Sequence, residues 1–390
     1  MDKPLRILSI VNVPWDPRLG AARVWIELTE EWCKAGHYVE KFCLTDAFPE
    51  PASSPAHAAL RLLGFPHRAA KFVRENAERF DVIDALIGTL PFPKKSLGFR
   101  GLLVARSVGL YRLYEKFDRV AAQRWTHTKG KLLGRPFYWF FNQRLRGSSD
   151  RSVFNCDLLN LPNSDELTYV RDEMQLDQAA IVEPYGLRPE RARALAEAAQ
   201  PAEVRAGKQK IVFTGMWSPR KGARDWGAII REVRARVPVA KFLFLGTMIA
   251  DGSVWRDLEM TRDDDVEIVP QFDPDQLPTL LADCTLAAFP SYVEGFGMAV
   301  VEQLAAGLPT VAYDAPGPRD ILRGDLAQLL VPVGGVRQFA IRLADLLVDN
   351  VECYKNLRRQ SFETAAKFCW PQIARDTTAE YRRHLPDGSR

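Results

Sequence analysis

The stretch from Thr285 to Ile321, TLAAFPSYVEGFGMAVVEQLAAGLPTVAYDAPGPRDI, limits the possible folds more than any other part of the chain. Thr285 to Phe289 is a short apolar run closed by Pro290, the pattern of a strand buried on both faces. The loop Ser291 to Phe296 carries Glu294 and ends at Gly297. Met298 to Ala306 has helix-forming composition, and Gly307 with Pro309 supplies a C-terminal stop. Leu308 to Ala312 returns as a second buried strand. Strand, glycine-bearing loop, helix and strand make one βαβ unit, the building block of a parallel sheet covered by helices.

The same residues suggest a chemistry. Gly295 and Gly297 let the backbone approach a ligand closely, and N–H groups at a helix start favour a diphosphate. Two carboxylates, Glu294 before the helix and Glu302 inside it, are awkward beside such an anion. An ionised carboxylate is a strong, acceptor-only group, suited to sugar hydroxyls. Acids next to an anion site therefore point to an activated sugar.

Glu294-Gly-Phe-Gly, Glu302 and Ala306-Gly-Leu-Pro resemble the E-x7-E signature of the retaining family 4 glycosyltransferases of GT-B fold. A lone G-x-G would carry little weight. The run PS-x-x-EGFG, E-Q-x-A-x-G-x-P, a strand and a G-P loop is specific. The opposing reading is a plain Rossmann helix with two solvated glutamates. The resemblance implies an α/β chain of GT-B type: two Rossmann-like domains facing across a cleft, with a C-terminal helix crossing back to the first domain. It also implies that Glu294 holds the transferred sugar and Glu302 the ribose hydroxyls, with Gly295, Phe296 and Gly297 lining the donor. Pro316-Gly-Pro318 would close near the phosphates or the sugar.

Upstream, Lys210 to Phe213 reads as a strand ending at Thr214-Gly215, and the following loop contains Arg220-Lys221-Gly222. By the same resemblance Gly215 approaches the donor, and Arg220 and Lys221 surround the diphosphate. Fixed cations there offset the charge that builds on the leaving nucleoside diphosphate, with no metal and no other cofactor expected. A surface Arg-Lys pair is the alternative. Val266 to Val269 leads into Pro270-Gln271-Phe272, where the family meets the nucleotide base through backbone groups, so Gln271 is a candidate. Asp263-Asp264-Asp265 precedes a strand instead of following one, and reads as a solvated turn, not a metal motif.

At 390 residues the chain suits two domains. The expected division is an acceptor domain over 1–190, a linker over 191–209, a nucleotide-sugar domain over 210–368 and a returning helix over 369–390. Arg6 to Val11 suits the first strand of a parallel sheet. Val24, Trp25, Leu28 and Trp32 then make one helical face. Gly20, in the loop between, is by resemblance a donor-approaching glycine or else only a turn. Asp81 to Leu86 and Leu102 to Arg106 read as further strands. At the end of the latter the family commonly puts a histidine that reaches the donor sugar; this chain has Val108. That departure leaves a sugar needing no such contact, a replacement donor from Arg106 or Ser107, or a weak or inactive enzyme.

The net charge of +4 and the lack of a nucleic-acid motif argue against a nucleic-acid partner. Six cysteines without a C-x-x-C pair read as reduced thiols of a cytosolic protein. The N-terminal apolar run is too short for a signal peptide, and no run reaches membrane-spanning length. Residues 119–147 hold seven Lys or Arg, no acid, and interleaved aromatics including Trp125, Phe137, Tyr138, Trp139 and Phe140. Such a segment is either a peripheral contact with the inner face of a membrane or a helix with a solvated basic face. The expected activity is transfer of a hexose from a UDP- or GDP-sugar, with retention, to a glycan or lipid-linked acceptor in surface polysaccharide or glycoconjugate synthesis. The rivals are a nucleotide-sugar epimerase and a non-catalytic nucleotide-binding or scaffold protein.

Overall fold

A computed structural model of the chain describes residues 3–124 and 135–386, with the side chains of all but 122–124 and 135–139. The chain divides into two units. One runs to Tyr185 and takes in the residues from Trp370 onward; the other is Gly186–Cys369.

In the first unit, β1 (Arg6–Ile10), β2 (Tyr38–Phe42), β3 (Val82–Leu86), β4 (Leu102–Arg106), β5 (Leu158–Leu161) and β6 (Ala180–Val182) form one parallel sheet in the order β2-β1-β3-β4-β5-β6. Strands β3, β4 and β5 are buried along their whole length. Burial on both faces is why their sequences run apolar without alternation. Among the covering helices are α1 (Gly20–Lys34), α2 (Pro55–Asn76), α3 (Tyr111–Arg124) and α4 (Arg135–Asn155). Helix α1 buries Val24, Trp25, Leu28 and Trp32, the face its spacing requires.

The terminal helix, Trp370–His384, belongs to this first unit. The Trp32 indole N–H donates to the Ala374 carbonyl at 3.2 Å, tying α1 to it. Tyr381 is fully buried and its hydroxyl meets both Arg106 and Asp84. The Thr377 hydroxyl donates to Glu183 at 2.6 Å.

The second unit holds β7 (Lys210–Thr214), β8 (Lys241–Leu245), β9 (Val266–Val269), β10 (Leu286–Phe289), β11 (Thr310–Tyr313) and β12 (Leu330–Val331). They too are parallel, in the order β12-β11-β10-β7-β8-β9. Its helices include α5 (Pro189–Ala198), α6 (Ala202–Lys208), α7 (Trp226–Arg234) and α8 (Met298–Ala305). The βαβ unit anticipated from Thr285 to Ala312 is β10-α8-β11, with Ala288 paired to Val311.

The stretch 191–209, expected as a linker, carries most of α5 and all of α6, both in the second unit. Arg205 of α6 is fully buried and donates to the carbonyls of Leu281, Ala282 and Ala306. Ala306 caps the end of α8, and Leu281 and Ala282 end another short helix. A cation bonded to the last carbonyls of two helices satisfies groups no backbone donor reaches. This anchors an Ala- and Glu-rich stretch whose composition alone suggests solvation.

Candidate functional site

In the second unit the chain leaves β7 toward β8 and β9, then returns to the other side of β7 with β10. The order reverses between β7 and β10, and loops at the carboxyl ends of two such strands diverge into a ligand-binding crevice. The loop after β7 carries Arg220 and Lys221, and the loop after β10 carries Glu294.

The two loops are joined backbone to backbone. The Tyr292 N–H donates to the Arg220 carbonyl at 2.9 Å, and the Arg220 guanidinium donates to the Val293 carbonyl at 3.2 Å. Gly222, at φ +80°, lies so close to Pro290 that a Cβ there would sit 2.3 Å from the Pro290 carbonyl oxygen. Only glycine fits that approach and that backbone region. Beneath them the Asp225 carboxylate accepts hydrogen bonds from the hydroxyls of Tyr292 and Tyr313, each at 2.7 Å. Buried Asp225 thereby ties the start of α7 to the β10 loop and to β11.

The functional side chains follow from this frame. Lys221 Nζ lies 2.6 Å from Glu294 Oε1 and 4.9 Å from the Phe289 ring centre, and Arg220 lies 3.7 Å from the same carboxylate oxygen. Glu294 is 7% exposed. Gly297, at φ +101°, starts α8, and the preceding Phe296 is buried against Phe368. The Pro316-Gly-Pro318 loop closes on this turn: a Cβ on Gly317 would sit 2.2 Å from the Phe296 carbonyl oxygen. Glu302, on α8, is also 7% exposed and lies 3.6 Å from Arg191 of α5. Arg191 donates in turn to the Pro274 carbonyl. Neither Arg191 nor Asp225 was marked by any local sequence signal; each acts through residues distant in the chain.

Of the expected site residues, Arg220, Lys221 and Glu294 come together, beside Gly295, Phe296 and Gly297. Gly215, at φ +151°, ends β7, and Glu302 lies on the helix that Gly297 starts. Gln271 is exposed in the loop after β9, beyond β8 from this group. Gly20 opens α1 in the first unit. Asp263 and Asp265 pair with Arg234 and Lys241. Among the described residues no group of three or more His, Cys, Asp or Glu is placed to hold a metal ion.

In the first unit Val108 is half-buried just past β4. Arg106, one of the alternative donors, is fully buried, bonded to both oxygens of Asp84 and to Tyr381, with Glu183 at 4.0 Å. Its neighbouring acids hold the guanidinium's pKa well above the ordinary value against the cost of burial. Ser107 is buried and its hydroxyl accepts from the Gly109 N–H at 3.0 Å.

Within 119–147, Trp125 and the side chains of Phe137, Tyr138 and Trp139 lie outside the described residues. Phe140 is 43% exposed, with the Arg144 guanidinium 5.0 Å from its ring centre. Among the described residues no helix is long and apolar enough to cross a membrane.

Residues 208–349 match the family model described as glycosyl transferases group 1. The chain is 27% identical over 255 residues to a D-inositol 3-phosphate glycosyltransferase of Segniliparus rotundus, an alignment spanning 63% of this chain and 55% of that relative. Sucrose-phosphate synthase from Thermosynechococcus elongatus superposes with a TM-score of 0.71 at 18% identity, over 97% of this chain and 98% of that one. HepE of Anabaena, solved with UDP and glucose, gives 0.64 at 17% identity, over 97% and 100%. Two parallel Rossmann-like sheets shared with these structures establish the GT-B fold. The glycosyl transferases group 1 match and the motifs around Glu294 both fall within the second unit.

Proposed function

We propose that this chain transfers a hexose from a UDP- or GDP-sugar, with retention of configuration and without a divalent metal, to a glycan or lipid-linked acceptor in surface polysaccharide or glycoconjugate synthesis. The observation that carries the reading is the meeting of Arg220, Lys221 and Glu294 where the strand order reverses. In a sugar nucleotide the hexose and the second phosphate are joined through one oxygen, so the groups that hold them must themselves be adjacent. A carboxylate 2.6 Å from an ammonium satisfies that adjacency. HepE, whose structure contains UDP and glucose, shares the fold and supports the donor class.

In this reading the α8 N-terminus and the two cations hold the diphosphate, and Glu294 accepts hydrogen bonds from the hexose hydroxyls. Glu302, oriented by Arg191, accepts from the ribose. The bond from the anomeric carbon to the diphosphate oxygen breaks with charge collecting on that oxygen. Arg220 and Lys221 stabilise the charge in place. The acceptor oxygen forms the new bond on the same face, and its proton passes to the leaving phosphate.

A group that acts mainly on developing charge should affect turnover more than binding. Lys221→Ala is expected to lower kcat by roughly 10²–10³-fold, with donor affinity changed much less. Steady-state kinetics with a donor found by thermal-shift screening of UDP-, GDP-, ADP- and dTDP-sugars makes the comparison. Equal losses in kcat and in affinity, or donor turnover that needs no acceptor, would count against the proposal.

A further inference from the structure

The first unit has its own reversal of strand order, between β1 and β3. A hollow of about 260 Å³ lies there, lined by Asn12 after β1, Ile87 and Gly88 after β3, and Val108 after β4. Its remaining wall comes from α2, α3 and α4, through residues such as Leu63, Tyr111 and Ser149. A second hollow of about 450 Å³ lies beside it. Leu63, Pro66 and Ser148 line both, so the two form one groove between α2 and α4.

The groove changes character along its length. Its inner part mixes aliphatic side chains with an amide and hydroxyls, the composition of a site that fits a small polar group against apolar walls. Its outer part is lined by Pro91, Phe92, Pro93 and Phe140, with the exposed Arg144 and Arg151 among them. His67 lies with its ring centre 5.4 Å from that of Phe92. The titratable groups lining the outer part are all basic: His67, Arg144 and Arg151. Guanidinium groups match phosphate oxygens, and aromatic and proline surfaces favour hydrocarbon.

We infer that this groove binds an anionic amphiphile, an alkyl or isoprenoid phosphate, as the carrier of the acceptor. The phosphate meets Arg144 and Arg151, the hydrocarbon lies over Phe92 and Phe140, and the group that receives the sugar occupies the inner hollow. The inference rests on the acceptor half of the proposed function and names the class of molecule involved.

Calorimetric titration of the full chain with inorganic phosphate and with butyl, hexyl and octyl phosphate, each below its micelle concentration, tests it. Inorganic phosphate should bind negligibly, and affinity should rise about two- to fourfold for each added methylene. Leu63→Asp should weaken octyl phosphate at least tenfold. Arg144→Ala with Arg151→Ala should weaken every alkyl phosphate by a similar factor, yet leave a neutral octyl glycoside unchanged. Affinity independent of chain length, or unaltered in both variants, would overturn the inference. Titration of the same proteins with UDP and GDP serves as a separate control. Unchanged nucleotide binding shows an intact second unit, and failure of the wild type to bind either nucleotide counts against the donor reading without touching the groove.

Discussion

Glu166 shows how far one buried side chain can be moved by its surroundings. It is fully buried past β5, where its carboxylate accepts from the Leu110 N–H at 3.2 Å. Burial pushes its pKa from 4.5 up to about 7, against hydrogen bonds with Ser107, Leu110 and Asn163 that oppose the rise. Because the folded value is raised, the folded state holds this proton more tightly than the unfolded chain does. The contribution to stability is complete below about pH 4.5 and is lost as pH rises through 7, a span worth about 3 kcal/mol. Glu166→Gln removes the titration, so denaturant unfolding should show the wild type losing more stability than the variant between pH 5 and 8. Parallel pH profiles would exclude this role. Residues of this kind are hard to read in sequence. Glu166, Asp225 and Arg191 sit in ordinary polar contexts, and their importance comes from partners 56, 67 and 111 positions away: Leu110, Tyr292 and Glu302. Glu294 and Lys221 were legible because the motifs around them are local: glycines at Gly297 and Gly222 take backbone conformations with φ +101° and +80°.

The terminal helix, Trp370–His384, shows what an element adds. Its Tyr381 hydroxyl lies 2.8 Å from Arg106 and also donates to Asp84, all three side chains being buried. Removing one hydrogen-bonding group from a buried ion pair leaves a charged partner under-satisfied, a cost of about 1–3 kcal/mol. Tyr381→Phe should therefore lower unfolding stability by about that amount in denaturant titration; a change under about 0.5 kcal/mol, the range of ordinary surface substitutions, would contradict the account. The apolar runs β3, β4, β7, β8 and β10 could be read directly, because strands covered on both faces need no polar alternation. Helix α2 could not. Its 22 residues contain Gly64 and Pro66, both of which oppose a helix interior. At its start the Ser54 hydroxyl accepts from the His57 N–H at 3.2 Å and Pro55 follows. Phe65, Ala69, Ala70 and Val73, buried in the core of the first unit, hold it helical despite the proline. The burial of helix α6 was not legible either, because its buried anchor is an arginine.

At the scale of the whole molecule, the described residues form two parallel six-stranded sheets, each reversing its strand order once. That reversal is a property of topology, which no single segment encodes, yet it puts Arg220, Lys221 and Glu294 in one place and the groove of the first unit in another. Sequence motifs pointed to Arg220, Lys221 and Glu294 because these lie in glycine-marked loops; of the groove they marked only Val108 and, within the basic aromatic segment 119–147, Phe140 and Arg144, because its walls come from five separated stretches. The units divide between Tyr185 and Gly186, and α5 and α6 pack in the stretch expected as a linker.

The central claim is that the β7 and β10 loops with α8 bind a sugar nucleotide. Calorimetry of the full chain against UDP-, GDP-, ADP- and dTDP-sugars, repeated with Glu302→Ala, tests it most directly. One nucleotide should bind the wild type, and loss of the carboxylate should weaken it about tenfold or more, as expected for a charge-assisted hydrogen bond. Binding of none of them, or equal affinity in the variant, would contradict the account.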